Sequence, residues 1–201
     1  MRAVIIGNGN IRDYEYIRSK IRTDDFIICA DGGLRQAKML GLKPDIAVGD
    51  FDSAKKDSSV KTYEYPTRKD YTDGELAVDY AIDNGFDEII LIAMTGSRID
   101  HTIENILLLT KHENMRLIDD DNEIFIVSER LELNGIKGKT LSIVPISGNL
   151  EGVSSSGLEY PLNDETLFFA ESRGISNVVT EDTCIITARH GIGIVIINNG
   201  S

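Results

Sequence analysis

The chain has no tryptophan and only 6% aromatic residues, so with 41% hydrophobic residues its core must be mostly aliphatic. Basic residues are in deficit. Lys plus Arg total 21 against 33 Asp plus Glu, a formal charge of −12 that argues against a broad phosphate-neutralising face for nucleic acid. An anionic partner therefore needs metal ions or a local basic pocket. The two cysteines, Cys29 and Cys184, sit inside the apolar runs "FIICA" and "TCIITA", where small buried thiols are common. This argues against a disulfide framework or a cysteine zinc site and fits a reducing cytoplasm. No run approaches the roughly 18 apolar residues of a membrane span. The N-terminal "MRAVIIGNGNIRDYEY" carries an apolar stretch too short for a signal-peptide core. Neither a repeat nor a low-complexity tract is evident, and the chain reads as a soluble, cytoplasmic protein of one to two domains.

What is present divides into two textures. Residues 1–119 alternate continuous apolar runs, "AVIIG" (3–7), "FIICA" (26–30), "DIAVG" (45–49) and "EIILIAM" (88–94), with helical patterns. Such runs are the mark of parallel strands covered on both faces. "GLRQAKMLG" spaces Leu34, Ala37 and Leu40 as a helix stopped by Gly41. "DGELAVDYAIDNG" does the same with Leu76, Tyr80 and Ala81, and "DHTIENILLLTKH" opens on Asp100 as its expected N-cap. The expectation is a mostly parallel, Rossmann-like α/β sheet domain. Residues 120–201 instead give short strands, "EIFIVS", "RLEL", "TLSIVPI", "TLFFAES", "CIITARH" and "GIVIIN". Turn chemistry at Asn134-Gly135, Ser147-Gly148 and "EGVSSSG" separates them, which predicts an all-β sandwich domain.

The acidic residues share a location. Asp31 follows the second apolar run, and Asp50 and Asp52 of "GDFDS" follow the third. Asp70 and Asp73 precede a helix, and Asp100 comes shortly after "EIILIAM". Ligands of open α/β sheets bind outside the carboxyl ends of the strands, so these carboxylates are expected to converge on one rim. Convergent carboxylates repel unless a cation sits among them, and Mg²⁺ suits one or two carboxylates plus phosphate oxygens. On an extended chain Asp50 and Asp52 point to the same side, as ion capture requires. A polar strand end or Asx turn is the simpler alternative.

Three further segments add candidates. Gly32 and Gly33 offer bare N–H groups to a phosphate at a helix start, or else form only a tight turn. "RKDYTDGELA" sets Arg68 and Lys69 beside Asp70 and Asp73, with Thr72 or Asp73 as helix cap. "TGSRIDHTIEN" places Gly96 after a strand, Arg98 for bidentate phosphate recognition, and His101 and Asn105 one helical turn apart. "IIGNGNIR" lacks the third glycine of a dinucleotide fingerprint, so no NAD site is read from it, although Gly7 and Asn8 remain candidates for a pocket floor.

Taken in order, "ADGG" (30–33), "PDIAVGDFDS" (44–53), "KDYTDGELA" (69–77) and "TGSRIDHTIEN" (95–105) resemble the thiamine pyrophosphokinase family. "GLEYPL" (157–162) and "GISN" (174–177) extend the resemblance into the second unit. It implies a homodimeric, Mg²⁺-dependent enzyme that transfers the pyrophosphoryl group of ATP to the hydroxyethyl oxygen of thiamine, giving thiamine diphosphate and AMP. ATP and metal would lie on the α/β domain, and thiamine in a cleft shared with the partner's β domain. The resemblance implies magnesium at Asp50, Asp52 and Asp73, with Asp31, Asp70 and Asp100 near metal or nucleotide. Arg98, His101 and Asn105 would be on the ATP side together with Gly32, Gly33, Lys69 and Gly96. Tyr160, Ser176 and Asn177 would face thiamine. Many family members carry Trp where this chain has Tyr160, and either supplies an aromatic face for a cationic thiazolium. The catalytic set so implied is Asp50, Asp52, Asp70, Asp73, Arg98 and Asp100. Whether a carboxylate takes the thiamine-hydroxyl proton is left open by the residues, with Asp70 and Asp100 as the candidates. A magnesium-dependent phosphohydrolase would also use an Asp-x-Asp pair, but commonly after the first strand, which here ends in "GNGN". A binding-only sensor that has lost turnover is a second rival.

Overall fold

The computed structural model describes residues 1–30, 32–49, 60–64 and 70–199. Asp31, Asp50, Asp52 and Lys69 therefore lie outside the described residues. The chain divides into two compact units, Met1–Asp120 and Asp121–Ser201.

In the first unit the apolar runs form β1 (Arg2–Ile6), β2 (Phe26–Ala30), β3 (Ile46–Gly49) and β5 (Glu88–Ile92). β4 (Lys61–Glu64) and β6 (Met115–Ile118) complete the order β6-β5-β1-β2-β3-β4, every pairing parallel. Burial on both faces explains the unbroken Val/Ile composition: Ala3, Val4, Ile5 and Ile6 are all fully buried, as are Ile89 to Ile92. α1 (Tyr14–Ser19), α2 (Gly33–Met39), α3 (Asp73–Asp83) and α4 (Ile99–Leu108) connect the strands. One core cluster joins Val4, Ile6, Cys29 and Ile92 of the strands to Ile17 and Ala37 of the helices.

Several expectations need correction. The last long run stops as a strand at Ile92, because Ala93 takes a left-handed φ of 54° that turns the chain off the ladder. α3 buries Ala77, Val78 and Ala81 rather than the face through Leu76 and Tyr80. Small side chains let it sit close on the sheet, and Tyr80 instead meets Tyr63 of β4 at 5.0 Å between ring centroids. Asp100 is not the cap of α4. Arg98 occupies that position and Asp100 lies in the first turn, where a carboxylate favours the helix dipole. α1, β4 and β6 were not expected, each being too short or too mixed in pattern to register.

The second unit is antiparallel. β7 (Asn122–Val127), β9 (Thr140–Pro145), β12 (Asn177–Val178) and β14 (Gly193–Asn198) pair in the order β12-β9-β14-β7. A 4-stranded sheet runs β11-β10-β13-β8, from β8 (Arg130–Asn134), β10 (Leu150–Ser156), β11 (Glu165–Leu167) and β13 (Thr183–Thr187). Alternate residues turn inward, as Leu141 and Ile143 do on β9, and meet Leu133, Leu150 and Ile186 in one aliphatic cluster. "EGVSSSG", read as turn chemistry, is instead most of β10. Ser154, Ser155 and Ser156 pair with Thr187, Ile186 and Ile185, and the Ser155 and Ser154 hydroxyls accept the Leu162 and Asp164 N–H groups at 2.8 and 3.0 Å. "TLFFAES" carries a strand only to Leu167, leaving Phe168 and Phe169 exposed.

The fold is thus mixed α/β, with a second, antiparallel sheet. Both cysteines are free and buried, and burial pushes the Cys29 thiol up to about 12 and that of Cys184 to about 11. Among the described residues no helix is long and apolar enough to cross a membrane.

A buried ion pair pins the first strand. Arg2 Nε and Nη2 donate to Asp25 Oδ1 and Oδ2 at 2.7 and 2.6 Å, and Asp25 Oδ2 also accepts the Arg22 N–H at 2.7 Å. Asp25→Ala removes both short bonds of the buried guanidinium and leaves it Lys20 O at 3.2 Å and Glu88 at 3.7 Å, so the unfolding free energy in urea titrations is expected to fall by about 3 kcal/mol. Arg2→Met with Asp25→Leu is expected to recover most of that loss, since no buried charge then remains.

Candidate active site

Strand order reverses at β1, which has β2 on one side and β5 on the other. Ligands of open parallel sheets rest beyond the carboxyl ends of the strands at such a reversal. A cavity of about 420 Å³ lies there, within the usual range for small-ligand sites. Gly7 to Asn10 after β1 and Met94 to Arg98 after β5 form two walls, and Ala30 ends β2 beside them. The first turns of α3 (Thr72, Asp73, Gly74) and α4 (His101, Thr102, Asn105) complete the lining.

The two loops continue the β1–β5 ladder past its strands. Gly7 N–H donates to Ile92 O at 2.9 Å and Gly9 N–H to Ala93 O at 2.6 Å. A Cβ on Gly9 would stand 2.2 Å from Thr95 O, so only glycine permits this approach. Gly33 is similar: its Cβ would lie 1.9 Å from Ile6 O, so the glycine lets α2 close on the end of β1. Neither Gly32 nor Gly33 lines the cavity; both open α2 behind it.

Two helix N-termini reach the cavity. Thr72 Oγ1 caps α3 by accepting the Glu75 N–H at 3.1 Å, while Arg98 gives α4 no side-chain cap. Uncapped N–H groups and the helix dipole favour an anion at that point. The Thr102 hydroxyl accepts the Gly96 N–H at 3.2 Å and donates toward Arg98 O at 3.1 Å, folding the "TGSR" loop onto the helix start. Asn105 is 8% exposed and its Nδ2 donates to Met94 O at 2.7 Å, so it braces the wall as well as lining the cavity.

Of the residues expected at the site, Asp73, Gly96, Arg98, His101 and Asn105 come together here. Asp70 and Asp100 are exposed and outside the lining. Asp100 grips the Arg98 fork, with Nε to Oδ1 at 3.2 Å and Nη2 to Oδ2 at 2.5 Å, and the guanidinium holds its carboxyl down at about 2. Among the described residues no group of three or more His, Cys, Asp or Glu is placed to hold a metal. Asp73 is the described carboxylate in the lining.

Sequence reading passed over Asn10, Thr95 and Thr102, and also the supports behind them. Asp120 accepts the Arg12 and Asp13 N–H groups at 3.0 and 2.9 Å, and Asp119 accepts the Thr95 hydroxyl at 3.2 Å. Their signal was the Asp pair directly after β6, a strand that was itself unrecognised.

In the second unit, Tyr160, Ser176 and Asn177 also meet. Asn177 Oδ1 accepts the Tyr160 and Val178 N–H groups at 3.1 and 2.9 Å, and its Nδ2 donates to Tyr160 O at 2.7 Å. Ser176 takes a left-handed φ of 59°, a strain that non-glycine residues carry at functional turns more than elsewhere. The Tyr160 ring is 60% exposed.

A cavity at a strand-order reversal, walled by two helix N-termini and an arginine, has the features with which α/β proteins bind phosphate-bearing ligands. The model of the thiamin pyrophosphokinase catalytic domain matches residues 17–118, and that of the thiamin pyrophosphokinase vitamin B1 binding domain matches residues 124–192. A Bacillus subtilis thiamine pyrophosphokinase is 31% identical over 169 residues, 78% of this chain and 79% of the relative. The solved thiamine pyrophosphokinase from Bacillus subtilis superposes with a TM-score of 0.89 at 25% identity, covering 100% of both chains. That from Geobacillus thermodenitrificans does so with 0.89 at 24%, covering 100% of this chain and 99% of the other, a likeness of fold. The chain belongs to the thiamine pyrophosphokinase family, enzymes that move the pyrophosphoryl group of ATP onto thiamine.

Arg98→Gln removes the cation that holds the Asp100 carboxyl below its ordinary range. Carboxyl NMR is expected to show the Asp100 midpoint rising from about 2 toward the ordinary 3.8. Because the folded value is the depressed one, what the pair contributes is present above the ordinary carboxylate range and lost as pH falls through about 2.

Proposed function

We propose that this chain catalyses Mg²⁺-dependent transfer of the pyrophosphoryl group of ATP to the hydroxyethyl oxygen of thiamine, giving thiamine diphosphate and AMP. The observation that carries this reading is the cavity at the β1–β5 reversal, where Asp73, Arg98 and His101 meet two helix N-termini. ATP occupies a Rossmann-like domain, residues 1–119, and thiamine is met by a β-sandwich domain, residues 120–201. The enzyme works in the cytoplasm.

Magnesium fits the donor chemistry, because a hard dication needs only one or two carboxylates with water and phosphate oxygens. Asp73 supplies one such carboxylate in the cavity lining, and Asp50 and Asp52, directly after β3, are assigned the rest. Held there, the ion would supply positive charge to offset that of the phosphates. Arg98 and the α4 N-terminus take the remaining negative charge, and Gly96, His101 and Asn105 shape the wall around it. Asp31, Gly32, Gly33 and Lys69 are assigned to the nucleotide's surroundings.

The thiamine hydroxyl oxygen attacks the β-phosphorus, the bond from that phosphorus to the α-phosphate oxygen breaks, and AMP leaves. Asp70 or Asp100, both outside the cavity lining, is the candidate acceptor of the hydroxyl proton, and Asp100 is already engaged by the Arg98 fork. Tyr160 offers an exposed aromatic face to the cationic thiazolium, Asn177 sets its backbone, and Ser176 is assigned to the same thiamine-facing surface. A homodimer, with thiamine between one subunit's α/β domain and its partner's β domain, is supported by an apolar stripe on α4. Ile99, Ile103 and Leu107 lie one helical turn apart and stand 64%, 55% and 45% exposed.

Incubation with ATP, Mg²⁺ and thiamine is expected to yield AMP and thiamine diphosphate in equal amounts by chromatography; phosphate release without thiamine would instead indicate a hydrolase. Asp52→Asn is expected to lower kcat by about a hundred-fold or more at saturating magnesium. Turnover near wild type would remove the metal assignment. Tyr160→Ala is expected to raise the thiamine KM about ten-fold, in line with a cation–π contact of ~1 kcal/mol or more, with ATP binding little changed. Equal loss of both would sink the division of labour between the domains.

A further inference from the structure

Gln36 is a polar side chain in the interior of the first unit, 2% exposed on α2 and absent from the cavity lining. A buried amide costs free energy unless both of its ends are bonded. Here both are. Nε2 donates to Gly9 O at 2.5 Å, and Oε1 accepts the Tyr14 hydroxyl at 2.8 Å. A carbonyl oxygen can only accept, so the amide nitrogen must face Gly9, and the phenol completes the orientation by donating to the other end.

On its opposite side the Gly9 residue donates its N–H to Ala93 O at 2.6 Å. A continuous hydrogen-bonded chain therefore runs from Tyr14 on α1 through Gln36 on α2 to the wall after β1, and on to the wall after β5. Asn8, Gly9 and Asn10 line the cavity, while Gln36 holds the central one, Gly9, from behind. Engaged by Gln36, the Gly9 carbonyl is committed to a group outside the lining. A carbonyl turned inward would present its negative end to phosphate oxygens.

We propose that Gln36 is a positioning residue for the nucleotide co-substrate, holding the Gly7–Asn10 wall in its binding form, with Tyr14 orienting the Gln36 amide. The proposal rests on reading this cavity as the ATP site.

The test compares Gln36→Leu, Gln36→Met and Tyr14→Phe with wild type. Leucine and methionine both lose the two Gln36 bonds at similar volume and bring no titratable group into the buried position. Calorimetry with α,β-methylene-ATP and Mg²⁺ reads binding without turnover, KM values for ATP and thiamine are measured in parallel, and melting curves report folding. Both Gln36 variants are expected to bind the analogue about ten-fold more weakly, the order of one buried hydrogen bond. The thiamine KM should stay within about two-fold, and Tyr14→Phe should lose about three-fold, since only the orienting bond is gone.

Wild-type affinity for the analogue in either folded Gln36 variant overturns the proposal, as does an equal loss for ATP and thiamine, which marks a general structural defect. If neither Gln36 variant folds, Tyr14→Phe decides: wild-type affinity there also overturns it. A wild-type protein that binds the analogue, with weakened variants, but forms no AMP from ATP and thiamine upholds the positioning role and overturns the functional reading alone. A wild-type protein that binds no analogue overturns both.

Discussion

The pair of hydrogen bonds that carries the β1–β5 ladder beyond its strands, Gly7 to Ile92 and Gly9 to Ala93, governs where everything around the cavity stands. Parallel strands normally part at their carboxyl ends, and the crevice that opens there is what α/β proteins use for ligands. In this chain the two loops stay joined for a further turn of backbone before separating. Ala93 accepts the cost of a left-handed φ and Gly9 gives up its side chain to make that contact, so the cavity floor is backbone against backbone. The helices then supply the walls: α3 brings Asp73 and α4 brings Arg98, His101 and Asn105.

How much of this was legible follows from the range of the interactions. Runs such as "FIICA" and "DIAVG" declare buried parallel strands because local composition reflects burial on both faces. Asp73, Gly96, Arg98 and His101 were legible because each precedes or opens a helix, and Asn105 because it follows His101 by one turn of the same helix, where a local motif suffices to place it. Asn10, Thr95, Gln36 and the Asp119–Asp120 pair were not. Their contributions exist only because β1 lies between β2 and β5 and because β6 lies beside β5, pairings between segments far apart in the chain. β10 failed for another reason. Its serines read as turn formers, yet their hydroxyls serve neighbouring loops while their backbone completes a ladder, a use that residue type alone does not reveal.

The second unit places its candidate residues by a different device. Asn177 acts as a two-sided clamp on the backbone of Tyr160, taking one N–H and returning another, so the exposed ring is carried by a fixed main chain. Next to it Ser176 is held in a left-handed turn by the Ser142 hydroxyl, which accepts its N–H at 3.0 Å. A short side-chain amide thus does between two loops what a strand ladder does between two strands. An aromatic residue can then be exposed without being loosely held.

The fork between Arg98 and Asp100 has one more implication. A phosphate that takes the guanidinium takes it from a carboxylate that already satisfies both of its arms, so the exchange replaces one bidentate partner with another instead of creating a contact from nothing. The affinity realised is the difference between the two partners. A more highly charged anion competes better with Asp100 for Arg98 than a singly charged one, whose charge only matches that of the carboxylate already there.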